Sequence, residues 1–472
     1  MKCVVVSLYA ATPHLETDLE IIADLLAAGH SVHVLRCSGQ LVSCLQNPRH
    51  RQSECMRCIS KVDRGFARLA SPRLTVEAID PDPIDPRLPA VIENVDALKR
   101  YSLDGINLGR AASSSVCAST NKDAGVDTVR HAAEVRRQLE AAHQVYTATR
   151  KVLVRERADR VYVFNGRFAT VYPVVLAARA LGVEFYTHDR GASADHYLLR
   201  RDRLPHDLDV SHDEMVALWG DGGAEKSREA AEWYQRRRNG SEDAWLSFTK
   251  DQEAGLLPDG FDNAQHNIVI FNSTMEEYSS IEGRPDLVYE DEVKGLRQIA
   301  ETLAERADVQ VYLRIHPHLK GIPREDHYQL REYAKLDGRI PNLTIIWPES
   351  VIHTYALMER CHTVLTFGST LGAESAFWGK PSVLAGRAFY ERVGCCYRPM
   401  THDEVIALLT YKNLAPLESQ GALMNGYWEG HRGTLYRHFA ATGLFTGVFE
   451  GQKVDASLSA KLTAAALGRI GL

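Results

Sequence analysis

Short apolar runs alternate with amphipathic stretches through the second half of this sequence, and that alternation restricts the fold more than any other feature. Apolar runs of strand length fall at 267–273, 309–317, 343–348, 363–367 and 381–386. Apolar residues at helical spacing fill the intervals near 290–306, 325–336, 351–360 and 370–378. Because strands that alternate with helices pair in parallel, the second half is predicted to form a doubly wound parallel sheet.

The first half repeats this pattern less regularly. It opens with the apolar run KCVVVSLYA, a helical stretch that ends at Gly29 and a second apolar run, SVHVLRC. Another β-α-β pattern extends from RVYVFNGR to VEFYTHDRG. A chain of 472 residues is long enough for at least two hydrophobic cores. We therefore predict an α/β protein with two Rossmann-like doubly wound domains that face a cleft, followed by a helical C-terminal tail.

The domain boundaries are predicted from changes in this pattern. A polar turn, LLPDGFDNAQ, follows a charged helical region and precedes the first strand of the second half. We expect an N-terminal domain at 1–255 with a cysteine-rich insertion at 37–58, a C-terminal domain at 256–400 and a helical tail at 401–472.

Composition and charge exclude several classes of protein. Hydrophobic residues make up 45% of the chain and charged residues 25%, which is globular composition and argues against a disordered or fibrous chain. A net charge of −6 argues against general attraction to nucleic acid. No apolar run approaches the ~20 residues that cross a bilayer, and the N-terminus resembles a β-strand more than a signal peptide. The expected location is cytoplasmic, extending to peripheral contact with the inner membrane.

Polar residues follow three strands of the second predicted sheet. The carboxyl ends of parallel strands are where such sheets bind ligands, and small hydroxyl residues before a helix offer N–H groups to a phosphate. Arginine and histidine add charge or donors, and a glutamate one turn into the helix can accept from ribose hydroxyls. Read singly, the hydroxyl residues would be helix caps and the histidine structural. The predicted nucleotide-binding residues are Asn272, Ser273, Arg314, His316, Ser369, Thr370 and Glu374.

The segments RIHPH, IIWPES and TFGSTLGAESAFWGKPSVLAG carry a resemblance to a known family. They resemble the nucleotide-binding half of bacterial capsule and surface-polysaccharide glycosyltransferases of the GT-B type. Similar segments occur in Kdo and sialic acid transferases, which use CMP-sugars, and in polyglycerol-phosphate polymerases, which use CDP-glycerol. With FNGR, THDRGA and IVIFNST, the likeness extends from about 160 to 400. It implies a nucleotide-sugar donor, with CMP-linked sugars favoured, and a glycan or glycolipid acceptor.

Charge stabilisation of the departing phosphate is assigned to Arg314, His316 and the start of the helix at 369–370. No Asp-x-Asp motif stands at a suitable strand end, so no catalytic metal is expected. An inverting transfer also needs a base near the acceptor hydroxyl. The candidate bases, on loops of the N-terminal domain, are Asp189 and the pair His14 and Glu16, with a salt bridge or helix capping as their alternative roles. The predicted acceptor-binding residues are Asn165, Arg167, His188 and Arg190.

Four cysteines follow the second strand within 22 residues, namely Cys37, Cys44, Cys55 and Cys58. Four thiolates with one close CxxC pair can surround a tetrahedral zinc ion. The spacing is irregular for a zinc ribbon, so an iron–sulfur cluster or four free thiols remain as alternatives. A structural zinc site is predicted here.

These features together predict a metal-independent glycosyltransferase of bacterial surface-polysaccharide assembly, which moves a sugar from a nucleotide-activated donor to a polysaccharide or glycolipid. Two alternatives remain open. One is a CDP-alcohol phosphotransferase of polymer synthesis, which would use the same phosphate contacts. The other is a non-catalytic, zinc-stapled polysaccharide-assembly protein.

Overall fold

The structure is a computed structural model that describes residues 1–243, 245–278, 280–281 and 288–469. The strands are β1 Lys2–Ser7, β2 Ser31–Arg36, β3 Leu74–Ala78, β4 Arg160–Phe164, β5 Glu184–Arg190, β6 His196–Arg201, β7 His266–Phe271, β8 Val309–Arg314, β9 Leu343–Ile346, β10 Thr363–Thr366, β11 Ser382–Leu384, β12 Thr434–Leu435, β13 Phe439–Gly443 and β14 Thr446–Phe449.

The α-helices of the described residues surround these strands. They are α1 His14–Ala27, α2 Gln52–Phe66, α3 Val95–Arg100, α4 Gly109–Ser119, α5 Ala132–Glu156, α6 Tyr172–Leu181, α7 Leu208–Trp219, α8 Ala224–Arg238, α9 Glu292–Leu303, α10 Tyr328–Ala334, α11 Thr354–Arg360, α12 Leu371–Phe377, α13 His402–Thr410, α14 Gln420–His431 and α15 Leu458–Arg469.

The chain divides into two units, each with its own sheet. Unit 1 contains 1–207, 279–281 and 432–472, and unit 2 contains 208–278 and 282–431. The sheet of unit 1 has the strand order β12-β6-β5-β4-β1-β2-β3, and that of unit 2 has the order β11-β10-β7-β8-β9. The prediction of two Rossmann-like sheets is confirmed by this topology.

The two sheets share one pattern of strand order. In unit 1, β1 pairs in parallel with β2 on one side and β4 on the other, and β6 adds an antiparallel edge beside β5. In unit 2, β7 pairs in parallel with β8 and with β10. In each sheet the strand order therefore changes direction next to the first strand of that unit. This change lies between β1 and β4 in unit 1 and between β7 and β10 in unit 2. In open parallel sheets this switch point is where ligands bind, beyond the carboxyl ends of the strands.

Burial explains why the central strands of unit 2 are uninterrupted apolar runs. Helices cover a doubly wound sheet on both faces, so alternate side chains of β7 both face apolar layers. Ile268 and Ile270 belong to the larger core with α9, whereas Val269 and Phe271 pack in a second cluster with Tyr312.

The predicted boundary near 255 is wrong, because α7 and α8 belong to unit 2. Both helices pack against α14, which lies almost 200 residues later in the chain. The Tyr234 hydroxyl donates to the Ala422 carbonyl over 2.7 Å, and the Trp428 indole donates to Glu214 over 3.2 Å. Gly426 allows this close approach, since a Cβ there would lie 2.5 Å from the Tyr234 ring. Unit 2 therefore begins at Leu208.

The C-terminal segment 401–472 contains the predicted helices α13, α14 and α15, but it does not form a separate unit. Helices α13 and α14 complete unit 2, and the chain then returns to unit 1 as a strand, a hairpin and α15. Glu20 of α1, which is fully buried, anchors this return. Its carboxylate accepts the backbone N–H groups of Arg437, His438 and Phe439 at 2.6–3.2 Å. The part of the tail after His431 thus packs into unit 1.

None of the helices in the described part of the chain combines the length and the apolar character that crossing a bilayer requires. The cytoplasmic location expected from the sequence stays a prediction.

Candidate functional site

Six of the seven residues predicted to bind a nucleotide line one cavity in unit 2. The cavity lies beyond the carboxyl ends of β7, β8 and β10, at the switch point of the sheet. Its volume is about 70 Å³, which is room for a phosphate-sized group. The predicted residues that line it are Asn272, Arg314, His316, Ser369, Thr370 and Glu374.

His316 is held in a defined orientation and tautomer. Its backbone N–H donates to Asn272 Oδ1 over 2.6 Å, and its ring Nδ1 accepts the backbone N–H of His318 over 3.1 Å. A nitrogen that accepts a hydrogen bond cannot carry a proton, so the ring proton of neutral His316 resides on Nε2. The edge of the Phe248 ring packs against the imidazole, with centroids 4.9 Å apart. His316 therefore presents an N–H donor rather than a base.

Arg314 is buried at the end of β8, with 2% of its surface exposed. Its two terminal nitrogens donate to the carbonyls of Trp347 and Ser350, at 2.8 and 3.2 Å, and so hold the loop after β9. Nε has no hydrogen-bond partner among the described residues. Burial lowers the pKa of the guanidinium to about 10, so the side chain is still a cation at neutral pH. Nε–H is therefore a buried donor without a protein partner in the described part of the chain, and each terminal nitrogen keeps a second N–H.

Glu374 lies at the inner end of the cavity on α12 and is almost completely buried. Tyr355 donates its hydroxyl to Oε2 over 2.5 Å, and Thr370 donates to Oε1 over 3.1 Å. Both carboxylate oxygens are thus engaged within the protein, although each retains a lone pair. Contact with a ribose stays a prediction.

The hydroxyls of the 369–370 segment are less available than the sequence suggested. Ser369 Oγ accepts the N–H of Leu371 over 3.3 Å, and the Thr370 hydroxyl is used by Glu374. Helix α12 has only seven residues, so its dipole adds little. The binding capacity of this cavity therefore resides mainly in His316 and its neighbours.

Ser273 is not a residue of this cavity, which corrects the prediction. Its hydroxyl and its backbone N–H both donate to the carboxylate of Glu292, at the first turn of α9. Gln329 and Tyr333 donate to the same carboxylate over 3.2 Å. Ser273 thus ties the loop after β7 to a buried polar network behind the cavity. Its neighbour Asn272 faces His316 instead.

Several cavity residues come from the segment that the sequence assigned to the other domain. They include Arg237 at the end of α8 and the loop that follows it, with Ser247, Phe248 and Gln252. Gln252 Oε1 accepts the N–H of Thr354 over 2.7 Å, which ties this loop to the start of α11. The loop follows a helix and not a strand, so the rule for strand ends does not find it. The sequence signal for this loop was the run AWLSF, in which aromatic and hydroxyl residues stand between charged stretches.

The predicted catalytic residues of unit 1 cluster at the ends of β1, β4 and β5. His14, at the start of α1, packs its ring 3.8 Å from that of Phe164. Burial, with the nearby His188 and Arg190, lowers the pKa of His14 well below its usual value. Its Nδ1 lacks a hydrogen-bond partner within the described part of the chain. Burial therefore keeps the imidazole of His14 neutral.

His188, predicted to contact the acceptor, is fully buried behind His14. Its Nε2 lies 2.8 Å from the carboxylate of Asp18 on α1, and the two form a buried pair. A side chain with no exposed surface cannot touch a substrate in this conformation. This burial disfavours the predicted contact of His188 with the acceptor.

Asp189 is hydrogen-bonded through both of its oxygens. Asn165 donates its amide to Oδ2 over 2.7 Å, and the N–H of Arg190 donates to Oδ1 over 2.8 Å. Asn165 also accepts the N–H of Arg167 over 3.1 Å. The Arg190 guanidinium also interacts electrostatically with Asp189, so the salt bridge considered for Asp189 stays an alternative to a catalytic role.

Glu16 and Arg190 lie beside the loop that leads into α1. Lys61 pairs with Glu16 Oε1 at 3.2 Å, and the Thr12 hydroxyl donates to the same oxygen over 2.9 Å. Glu16 is almost completely buried, which disfavours direct contact with an acceptor. The guanidinium of Arg190 lies 4.9 Å from the centre of the Phe445 ring.

The state of His14 can be tested through stability. Unfolded His14 titrates near 6.5, whereas the folded chain resists its protonation. Below pH 6.5 the unfolded chain therefore binds a proton that the folded chain does not, and stability falls as the pH drops. We expect His14→Gln to weaken this dependence by up to about 1.4 kcal/mol per pH unit, measured by denaturant unfolding at several pH values. An unchanged slope, equal to that of the control His131→Gln, would contradict the buried neutral state.

The four clustered cysteines line a second cavity, in unit 1, with a volume of about 790 Å³. Burial raises the pKa of Cys44 and of Cys58 to about 12, so both are thiols in the absence of a ligand. Among the described residues no group of three or more His, Cys, Asp or Glu side chains is arranged to hold a metal ion. The predicted zinc site is therefore not confirmed.

Strand order and cavity position place unit 2 among Rossmann-like α/β folds that bind ligands at the switch point. Residues 248–407 match the family described as Capsule polysaccharide biosynthesis protein. This match confirms the resemblance to capsule proteins for that part of the chain, and it begins at Phe248, within the loop that lines the cavity.

Comparison with curated proteins finds no match. Among solved structures, one similar chain is "Thermosulfurimonas dismutans KpsC, beta Kdo 2,7 transferase", at 13% identity and a TM-score of 0.38, covering 69% of this chain and 90% of that one. Another is a UDP-GlcNAc 2-epimerase from Neisseria meningitidis, at 12% identity and a TM-score of 0.31, covering 90% of this chain and 97% of that one.

Proposed function

We propose that this protein is a glycosyltransferase of surface-polysaccharide assembly, whose unit 2 binds the phosphate of a nucleotide-activated sugar. One observation carries the proposal: a phosphate-sized polar cavity at the switch point of a parallel sheet, with the Nε2–H of His316 oriented by two hydrogen bonds. The match of residues 248–407 to the capsule polysaccharide biosynthesis family supports the assignment to surface-polysaccharide assembly. The resemblance in sequence favours a CMP-linked donor and a glycan or glycolipid acceptor.

The reaction requires stabilisation of a departing nucleotide phosphate. In the proposed mechanism His316 Nε2–H donates to an oxygen of that phosphate, and Arg314 Nε and Arg237 supply positive charge. Donors that are held in place before the reaction stabilise charge without a reorganisation cost. The carboxylate in the cavity, Glu374, is already engaged by two hydroxyls. We therefore propose a leaving group stabilised by protein donors, without a catalytic metal.

For the acceptor hydroxyl we propose His14 of unit 1 as the base. Its lowered pKa keeps the imidazole neutral, and its Nδ1 has no partner in the part of the chain that the structure describes. Asp189 is the alternative base, but its two oxygens already accept hydrogen bonds. Asn165, Arg167 and Arg190 remain proposed contacts of the acceptor.

A thermal-shift screen tests the donor site. The purified protein is heated with CMP, CDP, UDP, GDP or dTDP in the presence of EDTA, which also tests independence of metal. A nucleotide at 100 times its dissociation constant stabilises the folded state by about 2.7 kcal/mol. We expect one nucleotide to raise the melting temperature, with CMP first. No shift with any of the five would contradict the donor site, and a shift only without EDTA would contradict metal independence.

The product separates the proposed reaction from phosphotransfer. With a matching activated donor and an acceptor glycan, mass spectrometry shows either an added sugar or an added phosphodiester. A phosphodiester product would replace the transferase by the CDP-alcohol phosphotransferase.

A further inference from the structure

Four cysteines from three separate segments meet at one cavity in unit 1. Cys37 directly follows β2, Cys44 lies in the loop after it, and Cys55 and Cys58 are one turn apart on α2. Residues three apart on a helix share a face, so Cys55 and Cys58 both point toward the loop. All four thiols line the same cavity, and none forms a disulfide. Their convergence is a feature of the fold that the proposed transferase reaction does not use.

The four thiols line a cavity and do not form the closed site of a single metal ion. A zinc ion holds its sulfur ligands at about 2.3 Å and therefore needs four thiolates in a compact tetrahedron. Among the residues that the structure describes, no three metal-ligating side chains meet that requirement. Yet the thiols surround a cavity of about 790 Å³. A ligand that reaches all four must be wider than an ion and must favour thiolate sulfur.

We propose that Cys37, Cys44, Cys55 and Cys58 hold an iron–sulfur cluster in this cavity. Four cysteine thiolates are the usual ligand set of both two-iron and four-iron clusters. The bridging sulfides widen the group, so that its ligands stand farther apart than around a single ion. This inference is independent of the proposed transferase function.

Hydrogen bonds to the cysteine sulfurs support the assignment. The N–H of Gly39 donates to Cys37 Sγ over 3.3 Å, and the amide of Asn47 donates to Cys55 Sγ over 3.2 Å. Such donors stabilise the negative charge on ligating sulfur and tune cluster potentials. Asn47 also bonds the backbone of Arg51 in both directions at 2.8 Å, which fixes it against the start of α2. The sulfur donor is thus itself held in place.

The charge around the cavity also fits. Four thiolates give an iron–sulfur cluster a net negative charge, which nearby cations stabilise. In the lining Lys61 pairs with Glu16 and Lys461 with Asp455, and Arg51 and Arg57 then stand against Glu54.

The cluster would add a link between the loop after β2 and helix α2, beside the core packing of Leu41 and the hydrogen bond from Gln138 to Ser43. The segment between β2 and α2, residues 37–51, contains neither helix nor strand. Ligation at Cys37 and Cys44 would join it to α2. The assigned role is structural, so no electron transfer is invoked.

Metal and sulfide analysis of the full-length protein, purified without oxygen, tests the proposal. We expect iron and acid-labile sulfide in equal amounts, two or four of each per chain, with a broad visible absorption that is lost on exposure to air. Zinc in place of iron, iron without sulfide, or no metal would each overturn it. This measurement needs no variant and so does not depend on whether one folds.

A pair of variants locates the cluster. Cys58→Ser should lose most of the iron, the sulfide and the visible absorption. Cys361→Ser is the matched control, because Cys361 lies in unit 2, where its thiol donates to the Met358 carbonyl over 3.1 Å as a serine hydroxyl could. Retention of the full iron content by Cys58→Ser, or an equal loss in both variants, would overturn the assignment of ligands.

Discussion

The His316→Ala variant should lose about 100- to 1,000-fold in transferase turnover, the usual effect of removing one oriented donor from a developing oxyanion. The nucleotide that stabilises the natural protein should also bind about 10- to 100-fold more weakly, because a hydrogen bond to a charged phosphate is lost. Isothermal titration measures the binding, and the rate of sugar transfer measures the turnover. The backbone bond from His316 to Asn272 survives the change, so the fold should persist.

His318→Ala is the matched control for this variant. His318 is two residues away, and the hydrogen bond that it donates to the His316 ring comes from its backbone N–H, which the change keeps. Its side chain is outside the cavity lining, so binding should change little. His316→Gln, which can place an amide N–H near the lost Nε2–H, should recover part of the activity. Equal losses in His316→Ala and His318→Ala, or full activity in His316→Ala, would refute the role assigned to His316.

The Glu292→Ala variant should be the most destabilising single change near the site. Glu292 is 3% exposed, and its carboxylate receives donors from Ser273, Gln329 and Tyr333. Removing it leaves several buried donors without a partner, at a cost of about 3–5 kcal/mol in the free energy of unfolding. For a unit of this size the melting temperature should fall by roughly 10 °C. Calorimetry of the purified variant measures both quantities.

Two further variants make this result interpretable. Glu290→Ala removes an exposed carboxylate two residues earlier, whose partner is Lys294 on the surface, and should change stability by no more than about 0.5 kcal/mol. Glu292→Gln keeps one acceptor oxygen and should lose less than Glu292→Ala. A melting temperature for Glu292→Ala equal to that of Glu290→Ala would show that the network contributes little.

One rule explains why most of the predicted nucleotide-binding residues lie together in the structure. Polar residues directly after a buried parallel strand lie at the carboxyl edge of the sheet, which is why Asn272, His316 and Ser369 were found. The rule does not predict which way each side chain of such a loop points. Asn272 and Ser273 are neighbours, yet one faces the cavity and the other faces Glu292. Which neighbour faces the ligand depends on a buried carboxylate that stands 19 residues later.

In unit 1 the sequence identified a region rather than roles. His14, His188 and Asp189 do lie at the ends of neighbouring strands, as expected of β1, β4 and β5. Burial then separates them, because His188 is enclosed with Asp18 while His14 keeps part of its surface exposed. The exposure of a side chain depends on which residues of other elements pack against it. The local sequence pattern does not contain that information.

The sequence by itself determined the two parallel sheets, because each buried strand must be a continuous apolar run and each covering helix must carry an apolar stripe. Only the tertiary structure decided which segments share a unit. Helices α7 and α8 join unit 2 through Tyr234 and Trp428 contacts with distant residues, and the chain after His431 returns to unit 1 through the buried carboxylate of Glu20. Periodicity reports which side of an element is buried, whereas the partner that buries it is chosen by shape and hydrogen bonding across the whole chain.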